Sequence, residues 1–343
     1  MALFSRDLGI DLGTKFTRIA AGEAVISEAP TVVAITVEEV RSTEVLKAIE
    51  VGQAADDMDG RVPESIEVVR PLQNGVIADY AVTVALLQTM LKQVRSGFSF
   101  TGPRVAISVP ESVTSVERRA VHEATLDAGA REAILIQQPL AAALGADLPI
   151  GTPSGNMLLC LGAGATQAAV LAMYGVVTAE TMRAGGQALD EAIAAYARRK
   201  YGVIIGPRTA EQIKIQIGAA VPQPESESIE VQGQDQVSGL PRALTLTTDE
   251  VVEALQEPLG RVVETARRVL EKTPPELVSD IIDRGLALCG GGALLRGIDK
   301  LLTKELGIPA YLVEQPRHAV ALGAARALTP SVLVAVRRNL PTA

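Results

Sequence analysis

Apolar runs of strand length flank a glycine turn at two places along the chain. The first place is Leu8–Leu12, the turn Gly13-Thr14 and then Phe16–Ala21; the second is Met157–Leu161, the turn 162–166 and then 168–173. Each pattern predicts a buried hairpin. The two patterns lie roughly 150 residues apart, about one domain length. We interpret them as an internal duplication, in which two similar lobes each offer a hairpin toward a shared cleft. Coincidence is the alternative, since strand–glycine–strand hairpins are common.

Strand and helix patterns follow the first hairpin. Arg104–Val109 predicts a buried strand, and Thr114 with Glu117 has the spacing of a capping box at the start of a helix. That helix is expected to cover about 115–128. An earlier helix is predicted between 83 and 94 by apolar residues at helical spacing, which are Leu87, Met90, Leu91 and Val94.

The second hairpin is followed by the same kinds of element. Helices are predicted over about 187–200 and 249–272, and the later one has a Thr247/Glu250 capping box and a Pro274-Pro275 stop. The strand Leu286–Cys289 ends in three glycines, and a helix is expected directly after them, with Leu294, Leu295, Ile298 and Leu302 on its apolar face. Strands and helices that alternate in both halves indicate an α/β fold.

Two segments interrupt this alternation. Residues 32–76 are rich in Val, Glu and Asp and predict a small insertion, and residues 182–247 predict a second one. The second insertion contains a polar stretch, Pro222–Gly239, that we expect to be an exposed loop.

Composition and charge narrow the class of protein. The 343 residues suit two lobes, and 48% hydrophobic with 21% charged residues is a globular balance. The formal net charge of -8 argues against a general nucleic-acid role, because phosphate binding requires a basic face. Cys160 and Cys289 both lie in apolar runs, so we expect no disulfide framework and a reducing cytoplasm.

The chain also lacks the patterns of export and membrane insertion. Its N-terminus has no signal-peptide architecture, and no apolar stretch reaches the ~18–20 residues of a membrane span. We therefore expect a soluble protein, or one that lies on a membrane surface.

Two glycine turns are candidates for phosphate or ligand binding. Asp11 precedes the Gly13-Thr14 turn, whose amides could bind phosphate oxygens while the carboxylate holds Mg²⁺ through water. The alternative is an Asp that bonds its own turn. The glycines 290–292 could let backbone approach a flat ligand at a helix N-terminus, or could simply serve a tight turn with positive φ.

These features together resemble the MreB family of bacterial actins, which direct rod-shaped growth. The resemblance covers essentially the whole chain, with its motifs in order and at similar spacing: Arg6–Thr14, Arg70–Asp79, Gln138–Ala143, Pro274–Leu277 and Gly290–Arg296. It implies an actin-like two-lobed fold, made of duplicated ribonuclease H-like domains with inserted small subdomains, and ATP between the lobes. The first large lobe would comprise 1–31, 77–150 and 318–343, with 32–76 inserted; the second would comprise 151–181 and 248–317, with 182–247 inserted.

The resemblance also implies the site residues. Residues expected to flank the phosphates are Gly13, Thr14, Lys15, Phe16, Gly162, Ala163 and Gly164. Residues expected to enclose the ribose and adenine are Glu211, Gln212, Ile213 and Lys214, on a short helical stretch, and Gly291, Gly292, Ala293 and Leu294. Asp11 would hold Mg²⁺ through water and, with Gln138, would occupy the catalytic positions.

The chain departs from the family pattern where chemistry is expected. The family's second hairpin reads Asp-Ile-Gly-Gly-Gly-Thr-Thr, but here Cys160 replaces the Asp and Ala165 replaces the first Thr. Gln138 replaces a Glu tied to water activation, and loss of a general base costs ~10²–10⁴ in rate. The missing carboxylate at 160 is expected to weaken binding of the metal that neutralises phosphate charge. We therefore predict ATP hydrolysis that is very slow or absent.

The first hairpin departs from the pattern as well. Lys15 and Phe16 stand where the family has a small residue and Asn. One hypothesis is that the Lys15 ammonium contacts the phosphates and replaces part of the lost metal charge. The alternative is an ordinary surface lysine, and in a cleft without nucleotide Phe16 would simply fill space.

Aromatic residues in polar segments predict contact with a membrane. Phe98 and Phe100 lie in a Gly/Ser loop flanked by Arg95 and Arg104. The resemblance implies that this loop inserts into the inner membrane. Leu3 and Phe4, near the N-terminus, are expected to add a second, weak anchor. Alternatively, the two loop phenylalanines pack on their own lobe.

The leading prediction is therefore a cytoplasmic protein, peripheral at the inner membrane, that assembles with itself into filaments for cell shape and cell-wall morphogenesis. It would bind ATP and hydrolyse it weakly or not at all. Antiparallel protofilaments would pair through the helix 115–128. Its partners would include morphogenesis membrane proteins, and it would not bind nucleic acid. An active ATP-hydrolysing filament protein is the second interpretation. A non-filament actin-fold adaptor or chaperone-like ATPase is the third.

Overall fold

The computed structural model describes residues 7–40, 43–94 and 101–337, which divide into two compact units. Unit 1 contains the described parts of 1–153, 171–176 and 317–343, and unit 2 contains 154–170 and 177–316. Each unit has its own apolar core. The finer division into large lobes and insertions stays a prediction.

The elements of the chain up to residue 145 belong to unit 1. They are β1 (Asp7–Leu12), β2 (Phe16–Ala21), β3 (Ala24–Pro30), β4 (Val33–Val40), β5 (Thr43–Val51), α1 (Gln53–Met58), β6 (Glu67–Val69), β7 (Leu72–Gln73), β8 (Val76–Ile77), α2 (Tyr80–Val94), β9 (Arg104–Val109), α3 (Ser115–Asp127), β10 (Glu132–Gln137) and α4 (Gln138–Gly145).

The elements that follow lie mainly in unit 2. They are β11 (Asn156–Leu161), β12 (Thr166–Ala172), β13 (Gly175–Met182), α5 (Gly186–Tyr201), β14 (Val203–Ile204), α6 (Pro207–Ile217), β15 (Ser228–Asp235), β16 (Pro241–Thr247), α7 (Thr248–Lys272), α8 (Pro275–Arg284), β17 (Leu286–Cys289), α9 (Ile298–Leu306) and β18 (Ala310–Leu312). Two helices of unit 1 end the described chain, α10 (Ala319–Arg326) and α11 (Pro330–Val336).

The same sheet plan occurs in both units. Unit 1 has a five-stranded sheet in the order β10-β9-β1-β2-β3, in which β10, β9 and β1 are parallel and β2 and β3 continue antiparallel. Unit 2 has a five-stranded sheet in the order β13-β12-β11-β17-β18, in which β11, β17 and β18 are parallel. The repeated strand order, with a hairpin in the same place, confirms the predicted α/β fold and its duplication.

Both predicted capping boxes are formed. The hydroxyl of Thr114 accepts from the amide of Glu117 at the start of α3, and Thr247 accepts from Glu250 at the start of α7. Each glutamate accepts from the amide of its cap residue in return. Two donors that a helix start leaves without a partner are thereby satisfied.

Close helix packing holds β1 in unit 1. A Cβ atom at Gly323 of α10 would overlap the carbonyl oxygen of Ala141 on α4, and one at Gly145 would overlap that of Ala319. A Cβ atom at Gly9 of β1 would overlap the Ala325 amide in the same way. These glycines let the backbones of α4, α10 and β1 meet directly.

Two predictions were wrong. The stretch 222–239 is not a loop throughout, because Ser228–Asp235 forms β15 and pairs antiparallel with β16. One face of β15 is polar and exposed while Val231 is buried, so its composition resembles that of a loop. The helix expected directly after the three glycines begins only at Ile298, because Gly291–Leu294 forms a 3₁₀ turn and Gly297 has a φ of 74°.

Within residues 7–40, 43–94 and 101–337, no single helix has the length and apolar composition of a membrane span; the bent pair α10 and α11, with 96° between them, meets that test when joined.

Candidate functional site

Hydrogen bonds from neighbouring segments hold the turn between β1 and β2 in its conformation. The Gly13 carbonyl accepts a hydrogen bond of 2.7 Å from the Thr31 hydroxyl, and the Thr14 hydroxyl accepts one of 3.0 Å from the Gly75 amide. A Cβ atom at Gly13 would lie 2.6 Å from the carbonyl oxygen of Phe16. The tight turn therefore requires glycine at this position.

Asp11, at the end of β1, is 6% exposed and lies among polar partners. Its Oδ2 is 3.6 Å from Nη1 of Arg18, its cross-strand partner on β2, and its Oδ1 accepts from the Ser108 hydroxyl at 3.4 Å. The side chain of Gln138 also donates to it. Burial raises the pKa of Asp11, and the Arg18 charge and the hydrogen bonds from Ser108, Arg18 and Gln138 oppose this without cancelling it. Two predicted catalytic positions, 11 and 138, are thus brought together.

Arg18 extends this cluster to the edge of the hairpin. Its Nη2 donates to Glu28 at 3.1 Å, and its guanidinium lies 5.3 Å from the centre of the Phe16 ring. Arg317 also donates to Glu28, at 2.6 Å, and lies 5.8 Å from the same ring. Phe16 is therefore in cation–π range of two guanidinium groups, and it does not simply fill space.

The charge of Glu28 is stabilised by this arrangement. Burial alone would raise the pKa of Glu28, but the charges of Arg18 and Arg317 and hydrogen bonds from Arg18 and His318 outweigh it, so the pKa is lowered. The same carboxylate oxygen, Oε1, accepts from both arginines, so Glu28 holds the two guanidinium groups together.

Arg18 was not among the predicted site residues. The hairpin register could have indicated it, because Leu12 pairs with Thr17 across the turn and the next pair outward is Asp11 with Arg18. Directly opposite residues of an antiparallel pair have neighbouring side chains, so a buried acid predicts a nearby cation.

The turn between β11 and β12 in unit 2 has the same local geometry. The Gly162 amide donates to the Ala165 carbonyl at 2.9 Å, and a Cβ atom at Gly162 would lie 2.8 Å from that oxygen. The Gly186 amide donates to the Gly162 carbonyl at 2.9 Å, which ties the turn to the start of α5. The predicted residues Ala163 and Gly164 lie in this turn.

Cys160 stands two residues before the turn glycine of unit 2, as Asp11 does in unit 1. It is 4% exposed and lies directly opposite Cys289 on β17, with the two Sγ atoms 2.9 Å apart. Neither of these two cysteines forms a disulfide bond. This strand end therefore presents a pair of sulfur atoms in an apolar setting where the family pattern has a carboxylate.

The residues predicted to enclose ribose and adenine fall into two groups. Gln212 on α6 and Gly291 and Leu294 on the 3₁₀ turn are exposed, with Glu211 and Gly292 half-buried. Ile213 and Ala293 are 0% and 4% exposed and lie in the core of unit 2, so only their backbone could contact a ligand. The glycines 290–292 do not lead into an α-helix N-terminus, which removes that part of the predicted anion site.

Lys214 joins α6 to α5. Its Nζ forms an ion pair of 2.7 Å with Asp190 and donates to the Gly186 carbonyl at 2.9 Å. The predicted nucleotide residue therefore supports the start of α5, which in turn braces the turn at Gly162. Asp190 was missed by the sequence analysis, since nothing in its local pattern distinguishes it from a surface carboxylate of α5.

Comparison with known proteins identifies the family. A family model described as MreB/Mbl protein matches residues 5–334. The cell shape-determining protein MreB of Escherichia coli is 47% identical over 328 residues, which cover 95% of this chain and 94% of that protein. The chain belongs to the MreB/Mbl family.

Solved structures agree with this MreB/Mbl assignment. MreB 5 of Spiroplasma citri bound to AMPPNP matches with a TM-score of 0.87 and 29% identity, over 97% of this chain and 98% of that one. The MamK double helical filament matches with a TM-score of 0.78 and 20% identity, over 94% and 98% of the two chains. These matches confirm the predicted actin-like fold, and the chain is an MreB-like homologue of cell-shape-determining proteins.

The residues of this MreB/Mbl chain fit a nucleotide better than a protein-held Mg²⁺. Each turn needs its glycine, and a Cβ atom at Gly291 would meet no atom within 4 Å, so both turns are tight and there is open space beside Gly291. By contrast, Mg²⁺ requires hard oxygen ligands. Asp11 already faces Arg18, Cys160 offers sulfur, and no three His, Cys, Asp or Glu side chains of the described residues converge as a metal site.

The predicted membrane contacts of this MreB/Mbl chain, Leu3, Phe4, Phe98 and Phe100, lie outside the described residues. The predicted role of the Lys15 ammonium stays a prediction.

Proposed function

We propose that this chain is a cytoskeletal filament protein of cell shape that binds ATP and hydrolyses it slowly or not at all. The observation that carries the proposal is the family match over residues 5–334, with 47% identity to a cell shape-determining MreB. We assign phosphate binding to the glycine turns at Gly13 and at Gly162, as the family resemblance implies.

Self-assembly is supported by the family and by the fold. The MamK chain of the same fold was solved as a double helical filament. Purified protein with ATP should sediment at high speed and show filaments by electron microscopy. Protein that stays monomeric under conditions in which a family member polymerises would favour an adaptor or chaperone-like role instead.

Nucleotide binding is supported by the local geometry of both turns and by a relative solved with AMPPNP. Weak hydrolysis is supported by the neutral side chains at Gln138, Cys160 and Ala165. Phosphate release in the presence of excess ATP and Mg²⁺ should be near background, and the triple variant Gln138→Glu/Cys160→Asp/Ala165→Thr should release more. Wild-type release at the rate of an active family member would identify a working ATPase.

Association with the inner membrane from the cytoplasm is supported by the composition of two segments, while contact with morphogenesis membrane proteins there is proposed from the family alone. Phe98 and Phe100 stand in a Gly/Ser stretch, and Leu3 and Phe4 stand near the N-terminus. Wild-type protein should co-sediment with anionic liposomes, and Phe98→Ser/Phe100→Ser should co-sediment less. A Val237→Ser variant, which changes a 96% exposed residue outside these segments and outside the proposed nucleotide site, is the control, and equal sedimentation of all three proteins would refute the membrane role.

A further inference from the structure

A buried ion pair occupies the position at which the family pattern leads one to expect a metal. The side chains of Asp11 and Arg18 are 8% and 10% exposed, and they lie opposite one another on β1 and β2 with 3.6 Å between Oδ2 and Nη1. The carboxylate receives further hydrogen bonds from Ser108 and Gln138. Asp11 is therefore surrounded by donors that belong to the protein itself.

The second unit serves as an internal comparison. Gly13 contacts Phe16 as Gly162 contacts Ala165, so the residues equivalent to Asp11 and Arg18 are Cys160 and Gln167. Gln167 is 1% exposed and neutral, like Cys160. Where the carboxylate is present a cation faces it, and where the carboxylate is absent the facing residue is neutral. Neither hairpin buries a lone charge, which would be costly.

A guanidinium beside Asp11 lowers the affinity of this carboxylate for a metal ion. Mg²⁺ is attracted by a carboxylate whose charge is uncompensated, and a fixed positive charge beside that carboxylate reduces the attraction. Mg²⁺ also requires octahedral oxygen ligands and keeps several waters, which a carboxylate that is 6% exposed and already hydrogen-bonded does not favour. The Nε–H of Arg18 is buried and has no hydrogen-bond partner among the described residues. A phosphate oxygen placed beside it could accept a hydrogen bond from this group.

We propose that the Arg18 guanidinium takes the place of the metal cation beside Asp11, so that this chain binds its adenine nucleotide without Mg²⁺. The inference rests on the proposed nucleotide binding. Arg18 acts here as a positioning residue: it neutralises Asp11, so that the carboxylate does not repel the phosphates and no divalent cation is needed to bridge the two.

The test is a titration of the full chain with a fluorescent ATP analogue, in EDTA and in excess Mg²⁺. The dissociation constants of the wild type should agree within about twofold. Binding that is about tenfold or more weaker in EDTA would overturn this inference and leave the proposed nucleotide binding intact. Absence of binding in both buffers would overturn the proposed nucleotide binding and this inference with it.

Variants separate the charge of Arg18 from a merely structural role. Arg18→Leu leaves Asp11 without its cation, so the affinity for the ATP analogue in EDTA should fall about tenfold or more. Excess Mg²⁺ should restore the affinity of this variant. Arg18→Lys should keep metal-independent binding, and the exposed Arg61→Leu should behave as the wild type. Asp11→Asn/Arg18→Leu removes both charges and should bind equally with and without Mg²⁺, even if Arg18→Leu alone does not fold. Metal dependence in that double variant would contradict the proposal.

Discussion

Cys160 and Cys289 lie side by side at the ends of the parallel strands β11 and β17, with their Sγ atoms 2.9 Å apart. The related family pattern has Asp at position 160, and here that carboxylate would face a thiol in the apolar interior of unit 2. In this chain the two strand ends instead meet through a contact between two buried sulfur atoms.

Restoring the acid should therefore cost stability. Cys160→Asp places a carboxylate at a site that is 4% exposed, and we expect the free energy of unfolding to fall by roughly 1–3 kcal/mol because burial removes the carboxylate from water. Urea denaturation measures this. Cys160→Ala, which removes the sulfur and adds no polar group, should lose less; an Asp variant as stable as the wild type would show that a hidden partner exists.

Glycine contacts in unit 1 lead to a second prediction. Gly323→Ala forces a Cβ atom into the carbonyl oxygen of Ala141, so α10 must move away from α4, and we expect a loss of roughly 1–3 kcal/mol. Gly260→Ala on α7 is the matched control, since its Cβ atom would meet nothing within 4 Å and alanine is the better helix former. Thermal unfolding should show a lower midpoint for the first variant and an equal or higher one for the second. A stable Gly323→Ala protein would contradict the direct backbone contact.

The same residues show what sequence patterns could and could not predict. Hydrophobic periodicity predicted both hairpins, because their strands are buried on both faces. Capping residues predicted the starts of α3 and α7, because the cap is a local interaction between Thr114 and Glu117 or Thr247 and Glu250. Local signals of this kind need no knowledge of the rest of the chain.

Interactions between distant segments could not be predicted in this way. Cys160 and Cys289 are 129 residues apart, and their contact depends on which strands pair in parallel. β15 was missed because it is half exposed, and the 3₁₀ turn after Gly290 was missed because Leu294 and Leu295 imitate the start of an apolar helix face. The nucleotide positions came from a family resemblance, since Asp11 and Gly13 alone have an ordinary structural explanation.

Glu250 leads to a prediction about pH. Burial alone would raise the pKa of Glu250, but hydrogen bonds from Lys200, Tyr201 and Thr247 outweigh it and lower the pKa from 4.5 to about 2. The folded state then holds this proton more weakly than the unfolded chain does. The stabilisation is therefore fully present above the ordinary value and is lost as the pH falls from about 4.5 toward about 2.

Glu250→Gln should remove this part of the acid sensitivity. It should also lower stability at neutral pH, because the 2.8 Å ion pair with Lys200 is lost, while glutamine can still accept from the Thr247 amide in the capping box. Urea denaturation at a series of pH values measures both effects. Glu257→Gln, an exposed site on the same helix, should keep the acid dependence of the wild type; if Glu250→Gln kept it too, the inferred role of Glu250 would be wrong.

The central claim, that this MreB-like chain holds ATP without turning it over, is tested most directly by the fate of bound nucleotide. The protein is loaded with ATP, freed of unbound nucleotide, incubated, denatured, and the released nucleotide is separated by chromatography. We expect ATP to be recovered at close to its starting amount, from unassembled protein and from filaments alike. Recovery of ADP in place of ATP would contradict the claim, and so would recovery of no nucleotide from freshly loaded protein.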